Sequence, residues 1–447
     1  MARVLSQHFR RMTEAPVRRL ILALAVPTIA SMLITTLYNM ADAWFLGRLD
    51  TASVASVGIA FPAMAIVQAI AFFCGHGSGN TMSRMLGAKD LVGARRMVAA
   101  GCVSAFVVGA LIAIVGICCG AWLAELFGAP ETLRKTATIY LKIVLLGAPW
   151  MCTSLAMNNL LRFQGKAAFA MIGILSGGLL NILLDPLFIF VFEWGIYGAA
   201  IATITSQFVS FLILLTMLQR HGVVRFYWSS IAFTREVWHE LLRGGMPSLF
   251  RQGLGAFAFT ALNHAAGAYG ATAAIAAMSI VTRIVMVLYS VVIGLGQGFQ
   301  PVCGFSYGAQ KFRRVYDAFV FLVWASGIFL GIAAIPCWIF AESLIAHFRP
   351  DADVIVIGAS ALRWQMATLI LSAWIIPCNM LTQTIGRGKV ASLLAASRQG
   401  LFFLPFILLL PFLFELQGVI ICQACADICA FLLAILVTSK ILFKLRQ

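Results

Sequence analysis

The sequence predicts an all-α polytopic membrane protein, with twelve transmembrane helices arranged as two pseudo-symmetric six-helix bundles. Three observations predict it. The chain is 62% hydrophobic and 11% charged, with a mean hydropathy of +0.96, whereas a soluble domain is about half apolar and about a quarter charged. Its apolar residues fall into runs close to the roughly 20 residues that cross a bilayer core of about 30 Å. The second half of the chain also repeats landmarks of the first.

In chain order, the apolar runs cover approximately 20–46, 53–83, 97–123, 136–158, 167–192 and 195–219, then 243–268, 273–303, 316–341, 354–380, 390–414 and 417–443. The basic segment MARVLSQHFRRMTEAPVRR precedes a run long enough to span, which predicts a retained helix rather than a signal peptide. Twelve crossings place both termini on one side. Loops on that side carry clusters such as Arg10, Arg11, Arg18 and Arg19, then Arg84, Lys89, Arg95 and Arg96, and later Lys311, Arg313 and Arg314. The opposite loops hold only Arg48, Arg134, Lys135 and Arg349, so both termini are expected in the cytoplasm of a cell whose inner membrane holds the protein. The formal charge of +16 is thereby explained as a topology signal, and no nucleic-acid partner is expected. Most of the eleven cysteines sit inside apolar runs, as packing residues rather than as a disulfide frame or metal site.

Residues 1–219 form one expected bundle and 243–447 the other. Between them, 220–242 is expected as an amphipathic connector lying along the inner membrane surface, because HGVVRFYWSSIAFTREVWHELL mixes aromatics with basic residues. A shift of 221 places TASVASVGI (51–59) on TAAIAAMSI (272–280) and GAKD (87–90) on GAQK (308–311). It also pairs Lys142 with Arg363, Asn158 with Asn379 and Gly165 with Gly386, while Pro27 meets Pro247 at a shift of 220. Such repeats suggest a transporter whose halves rock about a site near the bilayer midplane. A duplication that merely enlarged a scaffold is the bland alternative, and the uneven placement of polar residues argues against it.

Those polar residues gather in the first bundle. A carboxylate in mid-bilayer costs about 2.5–3.5 kcal/mol on insertion scales, so one found there needs a reason. Asp42 lies four residues after Tyr38, and Asp185 four after Asn181, so each pair shares a helix face. Pro186 follows Asp185 directly and deprives the carbonyl of Ile182 of its helical donor. Tyr140, Asn158, Thr203 and Thr205 lie at depths that let them join this patch. The positions equivalent to the two acids in the second half are Leu262 or Asn263 and Phe406 or Ile407, so the acids belong to one bundle.

With these residues in view, the chain resembles the multidrug and toxic compound extrusion (MATE) family from about residue 16 to residue 440. The resemblance rests on P-V-R-R-L-I-L-x-L-A-V-P-T-I, Y-N-x-A-D-x-W-F-L-G-R-L, G-A-K-D-x-x-x-A-R-R and the L-x-D-P element of the fifth span. Acids confined to the first bundle look like the prokaryotic DinF-type, MepA-like branch. The NorM-type branch keeps acids in spans seven and ten, and 243–268 and 354–380 have none. The resemblance implies a MATE/MOP-type fold and an antiporter that expels amphipathic, often cationic drugs in exchange for H+ or Na+. It implies a cation site, with Na+ as one occupant, at Asp42, Asp185, Asn181 and Thr203. Tyr38, Tyr140 and Asn158 would support it, and Pro27 would be the bend of the first helix.

Two carboxylates in a poorly hydrated pocket disfavour double ionisation, so the pair suits a proton. Carboxylate, amide, hydroxyl and carbonyl oxygens also suit a hard cation. Neutralising the pair would let the first helix bend at Pro27 and close the drug cavity. For that cavity the expected residues are Met64, Met157, Phe257, Met278, Met286, Tyr289 and Trp374, since Met and aromatic side chains adapt to varied apolar ligands. For each of the seven, plain packing is the bland alternative. Asp427 is expected either as a second protonatable group or as a partner of Arg283 or Arg398, and His76 and His264 as packed neutral rings. The glycines of CGHGSG and GLGQG suggest close helix contacts.

An enzyme is disfavoured, because the six histidines are dispersed without metal or catalytic spacing. A lipid-linked saccharide flippase of the same superfamily is the nearer alternative, expected to line its cavity with several cations. No P-loop motif is present, so no cofactor is expected beyond the coupling ion, and the protein is expected to act as a monomer in the bilayer.

Overall fold

The computed structural model describes residues 2–46, 48 and 51–447, and their side chains other than those of residues 2–5, 37–44, 46 and 51. The described residues hold helices and turns and no strand. This follows from lipid as solvent, where a helix satisfies its backbone groups within one segment.

A short helix α1 (Ala2–Glu14) precedes the first bundle. The bundle comprises α2 (Val17–Leu46), α3 (Thr51–Gly87), α4 (Leu91–Leu126), α5 (Glu131–Leu146), α6 (Ala148–Phe163), α7 (Ala167–Pro186) and α8 (Gly195–His221). α7 runs into a π-helical turn at Leu187–Val191. The second bundle comprises α9 (Arg235–Gly308), α10 (Phe312–Ile339), α11 (Ala341–Phe348), α12 (Ala352–Leu369), α13 (Ser372–Thr384), α14 (Gly388–Ala396) and α15 (Leu404–Arg446), with a π-helical segment at Ser397–Phe403 between the last two.

Twelve crossings follow from these helices. α9 has 74 residues, about 110 Å at 1.5 Å per residue, far more than one bilayer core. It breaks at Gly270 (φ −144°, ψ 15°) and Ala271 (φ 53°, ψ −153°), and α15 breaks at Glu415 (φ 50°, ψ −130°). Each break divides a helical stretch, 74 residues over Arg235–Gly308 and 59 over Gly388–Arg446, that is long enough for two crossings. Conversely, α5 with α6, and α12 with α13, each make one crossing bent by 44° and 55°. The fourth and tenth spans thus bend alike.

The repeat is visible in single hydrogen bonds. Asn158 Nδ2 donates to the Ala170 carbonyl at 2.9 Å, and Asn379 Nδ2 donates to the Ala391 carbonyl at 2.8 Å, both pairs 221 residues apart. Each bundle has its own apolar core, around Val67, Leu141 and Val144 in the first and Val281, Leu362 and Phe403 in the second. A third core, with Ile21, Met82, Phe163, Phe299, Phe305 and Phe319, joins the bundles at the end that bears the chain termini. Large apolar side chains such as Phe412 (80% exposed) and Leu436 (72%) point outward, where lipid is their solvent.

One expectation changes. Residues 222–234 make a loop with a single 3₁₀ turn at Trp228–Ser230 instead of a helix along the membrane surface. The helix that begins at Arg235, capped by Thr234 whose hydroxyl accepts from the Val237 amide, is the first part of the seventh span. Gly222, at φ −62° and ψ 139°, ends α8 and starts this loop. The basic N-terminus, by contrast, is helical and docks on both bundles. His8 Nε2 bonds the Gln164 carbonyl at 2.8 Å, and Arg314 Nη2 donates to the Ala15 carbonyl at 2.6 Å.

Candidate functional site

Five helices of the first bundle (α2, α3, α6, α7 and α8) enclose a cavity of about 330 Å³ that reaches Ser290 and Gln297 of α9, so it borders the interface between the bundles. Its wall is built by small residues on α7. Gly177 and Gly178 leave the space, and a Cβ at Gly177 would stand 2.8 Å from the Ser210 side chain. Among the described lining residues Arg162 alone is charged, while Asn158, Asn181, Gln68, Gln207 and Thr203 are among the polar ones.

Asp185 is fully buried, and Asn181 Nδ2 donates to its Oδ1 at 3.0 Å. That is the i,i+4 pair expected on α7. With an amide hydrogen directed at the carboxylate, the Asn181 side-chain oxygen remains an acceptor. Thr203 donates its hydroxyl to the Ala199 carbonyl at 2.9 Å, which leaves its lone pairs free to accept. Asn181 and Thr203 line the cavity; Asp185 does not, and is joined to it through Asn181. Pro186 closes α7 just before the π-helical turn, so the acid sits where regular hydrogen bonding ends.

The side chains of Tyr38 and Asp42 lie outside the described residues. Tyr140 is 8% exposed on α5 and does not line the cavity. Asn158 lines it, but spends its amide donor on α7. Pro27 stands inside α2, which continues through it as helix. Glycines of α9 straddle that proline: a Cβ at Gly298 would come within 2.7 Å of Ala25, and one at Gly294 within 2.5 Å of Ile29.

None of the seven residues expected to contact drugs lines this cavity. Met157 and Met278 are 1% exposed in the cores. Met64 is partly buried in the first core, and Trp374 packs edge-on against Phe319 at 5.5 Å. Tyr289 donates or accepts at Ser372 Oγ at 2.7 Å. Phe257 and Met286 are exposed, and Met286 precedes Ser290 by one turn, on the face of α9 that the cavity uses. The apolar lining comes instead from Met32, Phe72, Met151 and Met171.

Sequence reading also passed over Arg162. It is 7% exposed, and its guanidinium contacts Asn159 Oδ1 and, across the bundle interface, Gln297 Oε1. Further toward the termini, Arg84 joins the bundles. Its Nη2 meets Glu240 Oε2 at 2.7 Å and its Nη1 donates to the Thr384 carbonyl at 2.8 Å, while Thr384 Oγ1 bonds Asn80 Oδ1 at 2.9 Å. The cavity is thus closed toward the terminus-bearing side. His76 is 1% exposed, stacked on Phe72 and edge-on to Phe163. In the second bundle Asp427 pairs with Arg398 at 2.7 Å rather than with Arg283.

Two six-helix bundles meeting at a cavity of mostly apolar surface, dotted with amides and hydroxyls, have the build of a membrane transporter. The chain belongs to the MatE family, whose sequence model matches it twice, over residues 27–187 and 247–438. The two matches begin at the paired prolines Pro27 and Pro247. The chain is 26% identical over 430 residues to the multidrug export protein MepA of Staphylococcus haemolyticus, covering 95% of this chain and 94% of that one. Its fold is similar to an outward-facing multidrug resistance MATE transporter of the MOP superfamily, with TM-score 0.91, 26% identity and 98% of each chain covered. It is equally similar to a MATE solved in a bent conformation, with TM-score 0.91, 26% identity and 98% coverage of each.

Proposed function

We propose that this protein is a cation-coupled multidrug efflux antiporter of the inner membrane, with both termini in the cytoplasm. It would export amphipathic, often cationic compounds in exchange for H+, with Na+ as the ion the same oxygens also suit. The observation that carries this reading is the fully buried Asp185, bonded to Asn181 and joined through it to a cavity that Asn181 and Thr203 line. A carboxylate buried in a membrane bundle and tied to an amide at the edge of a cavity is suited to taking up a small cation. The multidrug export and resistance named for the relatives supports drug-like cargo.

The coupling works by competition for one lobe. A cation on Asp185 and its neighbours neutralises the pocket and favours a more closed arrangement of α2 about Pro27, which shrinks the cavity and expels the cargo. Loss of the cation restores the open cavity. Similar structures solved in a bent and in a straight conformation support a fold that adopts two shapes.

A lipid-linked saccharide flippase would need several cationic groups to hold its phosphates. Arg162 is the one charged residue among the described cavity-lining side chains, and it is already pinned by Asn159 and Gln297. Purified protein in liposomes tests the ion directly: a pH gradient without sodium, then a sodium gradient at equal pH, each with a fluorescent cationic drug. Efflux under at least one is expected; none under either, with drug still bound, would end the antiport reading.

A further inference from the structure

The second bundle holds a buried polar cluster that the transport reading above does not use. Arg398 Nε meets Asp427 Oδ1 at 2.7 Å and its Nη2 meets Tyr289 Oη at 2.5 Å, with the guanidinium carbon 4.5 Å from the Tyr289 ring centre. Gln423 Nε2 donates to Asp427 Oδ1 at 2.8 Å, and Tyr289 Oη bonds Ser372 Oγ at 2.7 Å. The Asp427 side chain is 3% exposed and that of Arg398 19%.

The repeat shows where this cluster sits. The paired bonds Asn158–Ala170 and Asn379–Ala391 fix a shift of 221 for the fourth, fifth, tenth and eleventh spans. In the sixth and twelfth spans the shift is 220: a Cβ at Gly198 would press on the Phe188 carbonyl, and one at Gly418 on the Leu410 carbonyl. On these shifts, and on 221 for the second and eighth spans, Tyr289 corresponds to Gln68, Ser372 to Met151, Arg398 to Gly177, Gln423 to Thr203 and Asp427 to Gln207. All five counterparts line the cavity of the first bundle. Where that bundle has a cavity-lining glycine packed closely on Ser210, the second has a guanidinium. Both fifth-position helices also carry a π-helical segment beside the charge, at Leu187–Val191 and Ser397–Phe403, a wide turn that recurs at functional sites.

We propose that the Arg398 guanidinium is a tethered cation that fills the second bundle's copy of the cavity and so confines ion exchange to the first bundle. Asp427, Gln423, Tyr289 and Ser372 then form a latent site for a small monovalent cation, masked by the side chain of Arg398. This rests on the first bundle's cation site as read above. In effect, one lobe exchanges its cation and the other carries a permanent one.

The test counts bound cations in full-length protein in lipid nanodiscs, using radiosodium and, in sodium-free medium, protons followed with a pH dye. Arg398→Met is expected to bind one more cation than wild type, and Arg398→Met/Asp427→Asn to return to the wild-type count. Asp185→Asn tests the first bundle separately, because it lowers the wild-type count and leaves the increment caused by Arg398→Met in place. A folded Arg398→Met with no increment, or an increment that survives Asp427→Asn, overturns the proposal. If Arg398→Met does not fold, Arg398→Ala is unfolded thermally in ethylguanidinium and, at equal ionic strength, in tetramethylammonium. A higher midpoint in ethylguanidinium alone supports the tethered cation, and equal midpoints overturn it.

Discussion

A single hydrogen bond, Asn181 to Asp185, anchors the cation site proposed for the first lobe. Replacing Asn181 with Leu keeps the volume near that of the amide but removes both the donor to the acid and the side-chain oxygen. Cation affinity is expected to fall about tenfold to a hundredfold, as when a supporting partner of a bound ion is lost, and cation titration of purified protein measures it. The Arg398–Asp427 pair behaves differently, because its charges cancel inside the protein. Asp427→Leu strands a guanidinium and is expected to cost about 3–5 kcal/mol, whereas Arg398→Met/Asp427→Leu removes both charges and should be near neutral. Thermal unfolding of the two variants separates these outcomes. The i,i+4 spacing made the Asn181–Asp185 pair legible in the sequence, since both ends lie on one helix. The Arg398–Asp427 pair was legible only as one of the alternatives for Asp427, and Arg162–Gln297 and Arg398–Tyr289 not at all, because these partners stand on other helices, 29 to 135 residues distant.

Among the elements, α1 ties the bundles together at the end that bears the termini. It reaches the first through His8 and Gln164 and the second through Lys311 and Arg314, which donate to the Thr13 and Ala15 carbonyls. Burial, with Lys166 nearby, lowers the His8 pKa from 6.5 to about 4. The undocked helix therefore binds more protons than the docked one between those values, and docking is at full strength above pH 6.5 and weakens as pH falls toward 4. Hydrogen exchange of residues 2–14 across that range should show the loss, and His8→Gln, which retains a donor for the Gln164 carbonyl, should flatten it. Helices were legible because runs of apolar residues near the length of a bilayer core leave few alternatives. Their faces were not. In lipid the outward face is as apolar as the core, so the 3.6-residue period does not say whether Met278 or Phe257 turns inward. The cavity walls depend on Gly177 and Gly178, whose lack of a side chain gave no sign of the space beside them.

At the scale of the whole molecule, the bundles are held closed on one side by Arg84, Glu240, Thr384 and Asn80 and meet at the cavity above. Glu240→Ala leaves Arg84 short of its carboxylate and is expected to weaken this closure by about 1–3 kcal/mol. Paired spin labels on the terminus-side ends of α3 and α13 should then show a longer-distance population that is minor in wild type. The repeat was legible from Asn158 and Asn379, from Gly165 and Gly386, and from the prolines at 27 and 247. The difference proposed between the halves was legible as missing acids and as Arg398 among the alternatives for Asp427; the full Arg398 cluster shows itself only when four helices are brought together. The measurement closest to the central claim is drug efflux from liposomes by wild type and Asp185→Asn, side by side, under the ion gradient that drives the wild type. Gradient-driven efflux should vanish in Asp185→Asn while drug binding and the fold persist. Undiminished, gradient-dependent efflux by Asp185→Asn would contradict the account.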